Sequence, residues 1–346
     1  GKTYFTVRQV FDSPDNEAFY GLGQHQHDMM NYKGKDVDLY QHNIVAVVPF
    51  LVSSRNYGIL WENYSVSRFG DPRPWDDINS LKLYNKGGEE GALSASYVDR
   101  ENVEQVFLQQ NESIIDYEYL EDLKKLPENF PLEEGKVIWE GHIEPNETGM
   151  HKFNLYQAGY TKFWFNGELL LDAWRQGWNP WSRYFELEME AGEKYPVKIE
   201  WIPDMCESFI AMKYKSPIPA EEQNQLSLWS EVAEQIDYYF VAGDNLDEVI
   251  SGYRQLTGKS PIMPKWAMGK WQCRERYKTQ EELLEVVSEF RERGIPLDNI
   301  VQDWFYWPED QWGDHDFDTA RFPDPDGMID EVHDMHALIM ISVCPK

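Results

Sequence analysis

The strongest constraint on the fold is a change in the spacing of apolar residues near Pro261. Before it, short strand-like runs are separated by Gly, Pro, Asn and Asp, which is the pattern of antiparallel sheets. After it, apolar residues recur at helical spacing between short apolar runs, which is typical of βα units in a parallel sheet. The two patterns bury different kinds of surface, so the chain of 346 residues is predicted to be multidomain.

The part before Pro261 divides again. Strands are predicted first at residues 4–10, 44–52 and 57–61, and two stretches rich in Gly, Pro, Glu and Asn, residues 84–91 and 216–225, flank a second strand-rich region. In that region Asn166-Gly167 separates two apolar runs, a strong hairpin signal because the two-residue turn needs positive φ at both positions. We therefore expect an N-terminal antiparallel β-sandwich of residues 1–88 plus 226–246, with an inserted β-sandwich of residues 89–225.

The part after Pro261 alternates strands and helices. We predict strands at residues 266–271, 300–303 and 337–343, and helices that begin after Thr279 and at Met328. Three parallel strands cannot close a barrel. Residues 247–346 are therefore expected to form the first three βα units of a (β/α)8 TIM barrel that is truncated here, with five more strands after Lys346.

Composition excludes several classes of function. Acidic residues number 61 against 32 basic ones, and the net charge of -29 disfavours a nucleic-acid partner. No apolar run approaches membrane-spanning length. Cys206, Cys273 and Cys344 are too widely spaced for a disulfide framework or a zinc cage. We expect no cofactor, and the oligomeric state stays open.

Aromatic residues make up 15% of the chain, which favours carbohydrate binding because flat rings beside carboxylates suit a sugar. In a barrel, functional side chains lie at the carboxyl ends of strands. Asp303, followed by Trp304 and Phe305, comes at the end of the second predicted barrel strand, where a carboxylate can accept hydrogen bonds from vicinal hydroxyls. The alternative is that Asp303 caps a loop and the rings fill the core. Trp271 and Arg276 form a second candidate region after the first strand.

The predicted insert has its own cluster of indoles. Trp174, Trp178 and Trp181 share one loop rich in Gly, Pro and Asn. Loops expose what strands bury, so this loop is either a sugar-stacking platform or a packing plug against the neighbouring domain. The sequence leaves both interpretations open.

Two short patterns resemble metal sites. The acidic residues at positions 314, 316 and 318 alternate as in a calcium loop, but the loop glycine and the final bidentate Glu are missing, so a solvated acidic loop is expected. His25 and His27 alternate without a third convergent ligand, which favours hydrogen-bonded loop histidines. We predict no metal site.

Four segments together resemble glycoside hydrolase family 31. They are Phe-Tyr-Gly-Leu-Gly-Gln at residues 19–24, Pro-Lys-Trp-Ala-Met-Gly-Lys-Trp-Gln at 264–272, the run at 300–304, and Phe-Pro-Asp-Pro-Asp-Gly-Met at 322–328. Residues 163–174 are similar to a protective-antigen-type β-sandwich. Such inserts usually contain an Asp-Asp pair that is often tied to calcium. Gly-Tyr-Thr stands at this place, residues 159–161, so the resemblance does not imply a calcium site here.

The resemblance implies retaining hydrolysis of an α-linked sugar by two aspartates. Both are expected beyond Lys346, so no catalytic residue is assigned in this segment. The resemblance makes Asp303 the pocket residue that binds the terminal sugar, with Trp304 and Phe305 beside it. Trp271 and Arg276 match the pocket rim.

The resemblance also indicates a substrate. Family glucosidases usually carry a smaller aliphatic residue at the position of Trp304, and a bulky ring there excludes the hydroxymethyl arm that xylose lacks. This favours an α-xylosidase that removes terminal α-xylosyl units from xyloglucan oligosaccharides over an α-glucosidase. The remaining alternative is a non-catalytic glycan-binding fragment, since the isolated segment is expected to be inactive. Family habit implies a bacterial periplasmic or cell-surface location.

Overall fold

The computed structural model describes residues 3–27, 29–42, 45–118, 125–127, 130–203 and 208–343. The chain divides into two compact units, Gly1–Thr257 and Gly258–Lys346. Ile44, Cys206 and Cys344 lie outside the described residues. No helix in the described ranges is long and apolar enough to cross a membrane.

The first unit is built almost entirely of strands. They are β1 (Phe5–Asp12), β2 (Phe19–Gln24), β3 (Val37–Leu39), β4 (Ala46–Ser53), β5 (Tyr57–Trp61), β6 (Ser67–Phe69), β7 (Asp76–Asp77), β8 (Lys82–Tyr84), β9 (Leu93–Asp99), β10 (Val106–Glu112), β11 (Asp116–Tyr117), β12 (Gly135–Glu144), β13 (Gly149–Gln157), β14 (Gly159–Phe165), β15 (Glu168–Arg175), β16 (Trp181–Met189), β17 (Tyr195–Ile202), β18 (Ile210–Lys215), β19 (Gln225–Ala233) and β20 (Tyr238–Ala242), followed by helix α1 (Leu246–Thr257). Short 3-10 helices occur at Ile78–Ser80 and Ala220–Glu222.

Two antiparallel sheets form the first sandwich. Their strand orders are β1-β19-β6-β3 and β2-β4-β5-β20. Alternate residues of both sheets fill the core, which includes Phe19, Leu22, Leu51, Ile59, Trp61, Phe69, Leu226 and Leu228. Strand β19 lies after the insert in sequence and pairs with β1, with Phe5 opposite Ala233. Helix α1 packs on this sandwich, where the ring of Tyr253 stacks on Phe50 at 4.3 Å between centroids.

The insert is a second sandwich. One sheet has the order β10-β9-β12-β17-β14-β15 with β8 beside β12, and the other has β11-β18-β13-β16 with β7 beside β18. Its core contains Tyr97, Val137, Trp139, Phe153, Leu155, Phe163, Met189, Ile199, Trp201 and Ile210. The predicted hairpin is confirmed: Asn166 and Gly167 have φ of 49° and 82°, and β14 pairs with β15.

The second unit contains a 3-10 helix (Lys265–Met268), β21 (Trp271–Arg274), α2 (Gln280–Glu292), β22 (Asn299–Gln302), α3 (Pro325–Asp334) and β23 (Leu338–Ile341). The three strands are parallel, in the order β21-β22-β23. Helices α2 and α3 cover the sheet with a core of Tyr277, Leu283, Val287, Ile300, Met328 and Val332. This arrangement confirms the alternating βα pattern.

Both helices of the second unit begin at side-chain caps. The cap at Thr279 confirms the prediction, whereas α3 begins at Pro325 and not at the predicted Met328, because Asp324 caps it three residues earlier. The Thr279 hydroxyl accepts a hydrogen bond from the Glu282 amide at 3.2 Å, and the Asp324 carboxylate accepts one from the Gly327 amide at 3.0 Å. Gly294, at φ 64°, follows the end of α2 as a left-handed residue.

The strand predicted at residues 266–271 is wrong. The 3-10 helix at Lys265–Met268 follows Pro264, whose carbonyl accepts a hydrogen bond from the Ala267 amide at 3.0 Å, and β21 starts only at Trp271. Local turn hydrogen bonding therefore overrides the apolar pattern there. The domain boundaries proposed from the sequence stay predictions.

Candidate functional site

The carboxyl ends of the three parallel strands meet at one edge of the second unit. In the register of the sheet, Arg274 is opposite Gln302 and Gln302 is opposite Ile341. Asp303 is the next residue after β22 and therefore emerges at this edge. Burial and the charge of Asp303 raise the pKa of the Cys273 thiol on the neighbouring strand. Within the described ranges, no hydrogen bond or ion pair is made by the Asp303 carboxylate.

The backbone after Asp303 is unusual. Trp304 and Phe305 both have left-handed conformations, with φ of 42° and 46°. Each costs free energy for a residue with a side chain, so the surrounding structure must hold them. The Arg321 guanidinium does so, because it donates to the Phe305 carbonyl at 2.8 Å and to the Trp307 carbonyl at 2.6 Å. Asp318 accepts from Arg321 Nε at 2.6 Å and thereby fixes the guanidinium.

Arginines also hold the rings beside Asp303. The Phe305 ring lies between two guanidiniums, with Arg276 4.5 Å and Arg321 4.7 Å from its centroid. The Trp304 ring is 5.8 Å from Phe305 and 6.0 Å from the Arg276 guanidinium. The structure therefore brings four of the predicted residues together: Asp303, Trp304, Phe305 and Arg276.

The rings of the 303–307 run divide between two roles. Tyr306 and Trp307 are buried in the core of the second unit, whereas Trp304 and Phe305 are half-buried. The core interpretation thus holds for the last two rings. The pair next to Asp303 stays partly accessible, as a binding surface requires.

Trp271 is not brought to this cluster. It is the first residue of β21, at the end of the sheet opposite Asp303. Its indole donates to the Ala267 carbonyl at 3.2 Å and its ring contacts Trp266 at 5.8 Å. Its proposed place at the pocket rim stays a prediction.

Sequence reasoning missed Arg321. Its only local signal is the acidic residue three positions earlier, Asp318, with which it forms an ion pair. This bond lowers the pKa of Asp318. The two carbonyls that Arg321 binds lie 14 and 16 residues away in an irregular loop. No periodic pattern predicts such contacts.

The three indoles of the insert do not share one loop as predicted: Trp174 lies in β15, Trp178 in the turn that follows, and Trp181 begins β16. Strand pairing extends into both ends of the predicted loop, and the three rings have different surroundings. Trp181 is buried, 5.5 Å from the His27 ring and 5.8 Å from the Arg175 guanidinium, so it packs against the first sandwich as a plug. Trp178 is 66% exposed and Trp174 is 48% exposed. The packing interpretation therefore holds for Trp181, and a sugar-stacking role of the other two rings stays a prediction.

Neither metal-like pattern gathers a ligand set. In the acidic loop, the Asp314 carboxylate accepts from the Asp316 amide at 3.1 Å, and Asp318 is engaged by Arg321. The His25 Nε2 is 2.9 Å from the Leu22 carbonyl, and the His25 ring stacks on His27. Across the described part of the chain, no group of three or more His, Cys, Asp or Glu side chains is placed to hold a metal ion.

Comparison with known proteins identifies the second unit. The family model described as the glycosyl hydrolases family 31 TIM-barrel domain matches residues 260–346. Residues 260–346 therefore match the barrel domain of glycoside hydrolase family 31. The PA14 domain model matches residues 105–225, within the inserted sandwich. The family assignment and the strand-rich fold therefore agree with the sequence analysis.

The relatives of the chain include two curated proteins. An α-xylosidase of Saccharolobus solfataricus is 52% identical over 123 residues, which are 36% of this chain and 17% of that protein. α-Glucosidase 2 of Bacillus thermoamyloliquefaciens is 36% identical over 115 residues, or 33% of this chain and 14% of that protein.

A solved structure covers much more of the chain. The crystal structure of a family 31 α-xylosidase from Xanthomonas citri is 51% identical, with a TM-score of 0.89. The match covers 98% of this chain and 37% of that protein. The chain thus spans little more than a third of this relative and less of the curated ones.

Proposed function

We propose that this chain is part of a retaining α-glycoside hydrolase that removes terminal α-xylosyl units from xyloglucan oligosaccharides. The observation that carries the proposal is the half-buried Asp303 carboxylate, unpaired within the described residues, at a strand end beside two partly accessible rings. The names of the Saccharolobus and Xanthomonas relatives support the choice of an α-xyloside.

The two βα units and the third strand, β23, are proposed to begin a (β/α)8 barrel. Strand β23 at the edge of the sheet supports this, because its apolar side chains are not covered: Met340 is 43% exposed, and Ile339 and Ile341 are half-buried. An uncovered apolar edge strand is unfavourable unless another strand pairs with it. Further strands would cover β23 and bring the remaining strand ends to the edge where Asp303 lies.

In this proposal Asp303 binds the sugar and does not react with it. Its two oxygens accept hydrogen bonds from two neighbouring hydroxyls, and bonds to a charged acceptor are stronger than neutral ones. Retaining hydrolysis needs a nucleophile and an acid/base about 5–5.5 Å apart. We assign neither role to a residue of this chain.

Trp304 is proposed to select xylose. Its ring is fixed by the left-handed backbone and by contacts to Phe305 and to Trp312, whose centroid is 6.0 Å away. A ring held in this way cannot easily move aside for the hydroxymethyl group of glucose. The α-glucosidase relative keeps an α-glucoside as the second candidate substrate.

The test is hydrolysis of aryl α-xyloside and aryl α-glucoside by the full-length protein. We expect release from the xyloside alone. Release from the glucoside alone would replace the proposed substrate, and release from neither would leave glycan binding as the function. A periplasmic or cell-surface location is also part of the proposal, and cell fractionation tests it.

A further inference from the structure

A cleft lies inside the first unit, between the first sandwich and the insert. Its volume is about 370 Å³, within the roughly 300–1,000 Å³ typical of small-molecule sites. One wall comes from the loops around β3, with His27 and Tyr40, and the other from the insert, with Trp178, Asn179 and Trp181. All of these residues lie at least 77 positions before Gly258, where the second unit begins.

The rings of the cleft form a floor and a rim. Trp181 is 7% exposed and makes the floor, where His27 and His42 contact it at 5.5 Å and 6.0 Å. Trp178 is 66% exposed and Tyr40 is 44% exposed. An indole left open at the side of a concave surface offers a flat face for stacking by a sugar ring.

Two polar atoms of the cleft residues lack partners. The Nδ1 of His27 and the Nδ2 of Asn179 are buried and make no hydrogen bond with any described residue. Burial, the neighbouring His25 and Arg183 lower the pKa of His27, against the opposing effect of Asp38, so the ring is held neutral. A hydroxyl group both donates and accepts, and is therefore suited to both atoms.

The two walls are held together by buried ion pairs. Lys152 and Lys215 of the insert both reach Asp36 of the first sandwich, at 2.9 Å and 3.4 Å. Lys152 also donates to the Gly34 carbonyl at 3.1 Å, and Lys215 to the Asp71 carbonyl at 2.9 Å. The segment around β3, with His27 before the strand and Tyr40 after it, is thus fixed against the insert, and a ligand finds the cleft already formed.

From this geometry we propose that the cleft binds one or two pyranose units of a neutral oligosaccharide, with Trp178 and Tyr40 stacking on the sugar. Asp38 lines the cleft and the whole chain carries a net charge of -29, so an anionic ligand is disfavoured. The ligand class rests on the proposed function, but the cleft is separate from Asp303 in sequence and in compact unit.

The test is calorimetric titration of the full-length protein with a xyloglucan heptasaccharide. We expect Trp178→Ala and Tyr40→Ala each to weaken binding about tenfold, and Trp178→Phe to retain most of it. The matched control is Tyr160→Ala, because Tyr160 is a half-exposed ring of the insert, in β14, that does not line the cleft. Unchanged affinity in both alanine variants, or no binding by the wild-type protein at millimolar concentration, would overturn the proposal.

Titration of Asp303→Ala separates this proposal from the proposed function. If Asp303→Ala loses binding and Trp178→Ala does not, the oligosaccharide binds at the strand-end site, and the proposal that the cleft binds it is rejected. Weaker binding in Trp178→Ala, in a protein that hydrolyses neither aryl glycoside, would support the cleft and reject the proposed activity.

Discussion

The strand-end cluster and the cleft use aromatic residues in different ways. Around Asp303, arginines hold the rings and their backbone in place, and one carboxylate is left without a partner among the described residues. In the cleft, Trp178 is open to solvent, and the atoms without partners belong to a neutral histidine and an amide. The first arrangement suits recognition of one sugar through directed bonds, and the second suits stacking with fewer geometric demands.

This difference shows that ring density alone does not define a sugar site. Both regions are rich in Trp, and both bury some of their rings as ordinary core, such as Trp307 and Trp181. What distinguishes a candidate site is an accessible ring beside a polar atom that the fold leaves unsatisfied. Asp303 meets this condition in one region, and His27 with Asn179 meets it in the other.

The largest effect should come from Asp303. In the full-length protein, Asp303→Ala removes two charge-assisted hydrogen bonds worth about 3–6 kcal/mol together, so kcat/KM for aryl α-xyloside should fall roughly 10²–10⁴-fold. Asp303→Asn is the control for shape, and it should also lose most of the activity because the amide is uncharged and can accept through one oxygen only. Steady-state kinetics with near-wild-type kcat/KM in both variants would remove Asp303 from the site.

The next largest effect is expected from the ion pair between Asp71 and Arg73, near the contact between the first sandwich and the insert. Asp71, with a 6% exposed side chain, accepts from Arg73 at 2.7 Å, and Arg73 also donates to the Ser216 carbonyl at 2.9 Å near the insert. Asp71→Asn should lower the free energy of unfolding by about 3 kcal/mol, because Arg73 loses its charge partner in a partly buried place. Denaturant unfolding at pH 7 measures this loss, with Asp310→Asn in an exposed loop as the control.

The same pair gives a pH dependence. Burial opposes ionisation of Asp71, but the hydrogen bond from Arg73 and the charge of Lys215 outweigh it and lower the Asp71 pKa below 3.8. The stabilisation is therefore present above the unfolded-state pKa and is lost as the pH falls through the lower folded-state pKa. Below about pH 4, unfolding free energy should fall more steeply in the wild type than in Asp71→Asn. Parallel slopes would contradict this assignment.

A smaller effect is expected from Arg321, which positions Trp304 and Phe305 through its bonds to backbone carbonyls. Arg321→Met keeps much of the side-chain volume but removes these bonds, and should cost about 2 kcal/mol of stability. KM for aryl α-xyloside should rise more than kcat falls. The Asp303 carboxylate is still present in this variant, but the loop next to it is no longer fixed, so the sugar is bound less tightly. Arg321→Lys should not restore the wild type, since one ammonium cannot reproduce the forked contacts. Full recovery by Lys would reject the positioning role.

The smallest effect tests the selection of xylose. Trp304→Val should open space for a hydroxymethyl group. The ratio of kcat/KM for aryl α-xyloside to kcat/KM for aryl α-glucoside should therefore fall about tenfold, which corresponds to about 1.4 kcal/mol. Trp174→Val, at an exposed indole of the insert that has no part in holding Trp304, is the control and should leave the ratio unchanged. An unchanged ratio in Trp304→Val would show that selection lies elsewhere.

The sequence was sufficient where local rules decide the structure. The Asn166-Gly167 turn and the cap at Thr279 depend on residues a few positions apart, and both were predicted correctly. The strand predicted at residues 266–271 failed because a local turn replaced it. The cleft was not predictable, because His27 and Trp181 are 154 positions apart and meet only when the insert docks on the first sandwich.

The candidate site, too, could be predicted from the sequence only in part. The position of Asp303 follows from strand alternation, but the contacts that fix the rings beside it come from Arg276 and Arg321 across irregular loops. Trp271 lies at the other end of its strand because β21 starts at that residue, a boundary that the apolar pattern misplaced. Strand order was therefore readable from the sequence, whereas the packing of loops at the strand ends was not.

The most direct test of the central claim is a crystal structure of the full-length protein with xylose bound. We expect both Asp303 carboxylate oxygens within hydrogen-bond distance of two neighbouring hydroxyls of the sugar, with the Trp304 ring packed where a hydroxymethyl group would project from C5. Xylose bound in the barrel without contact to Asp303 would contradict the account.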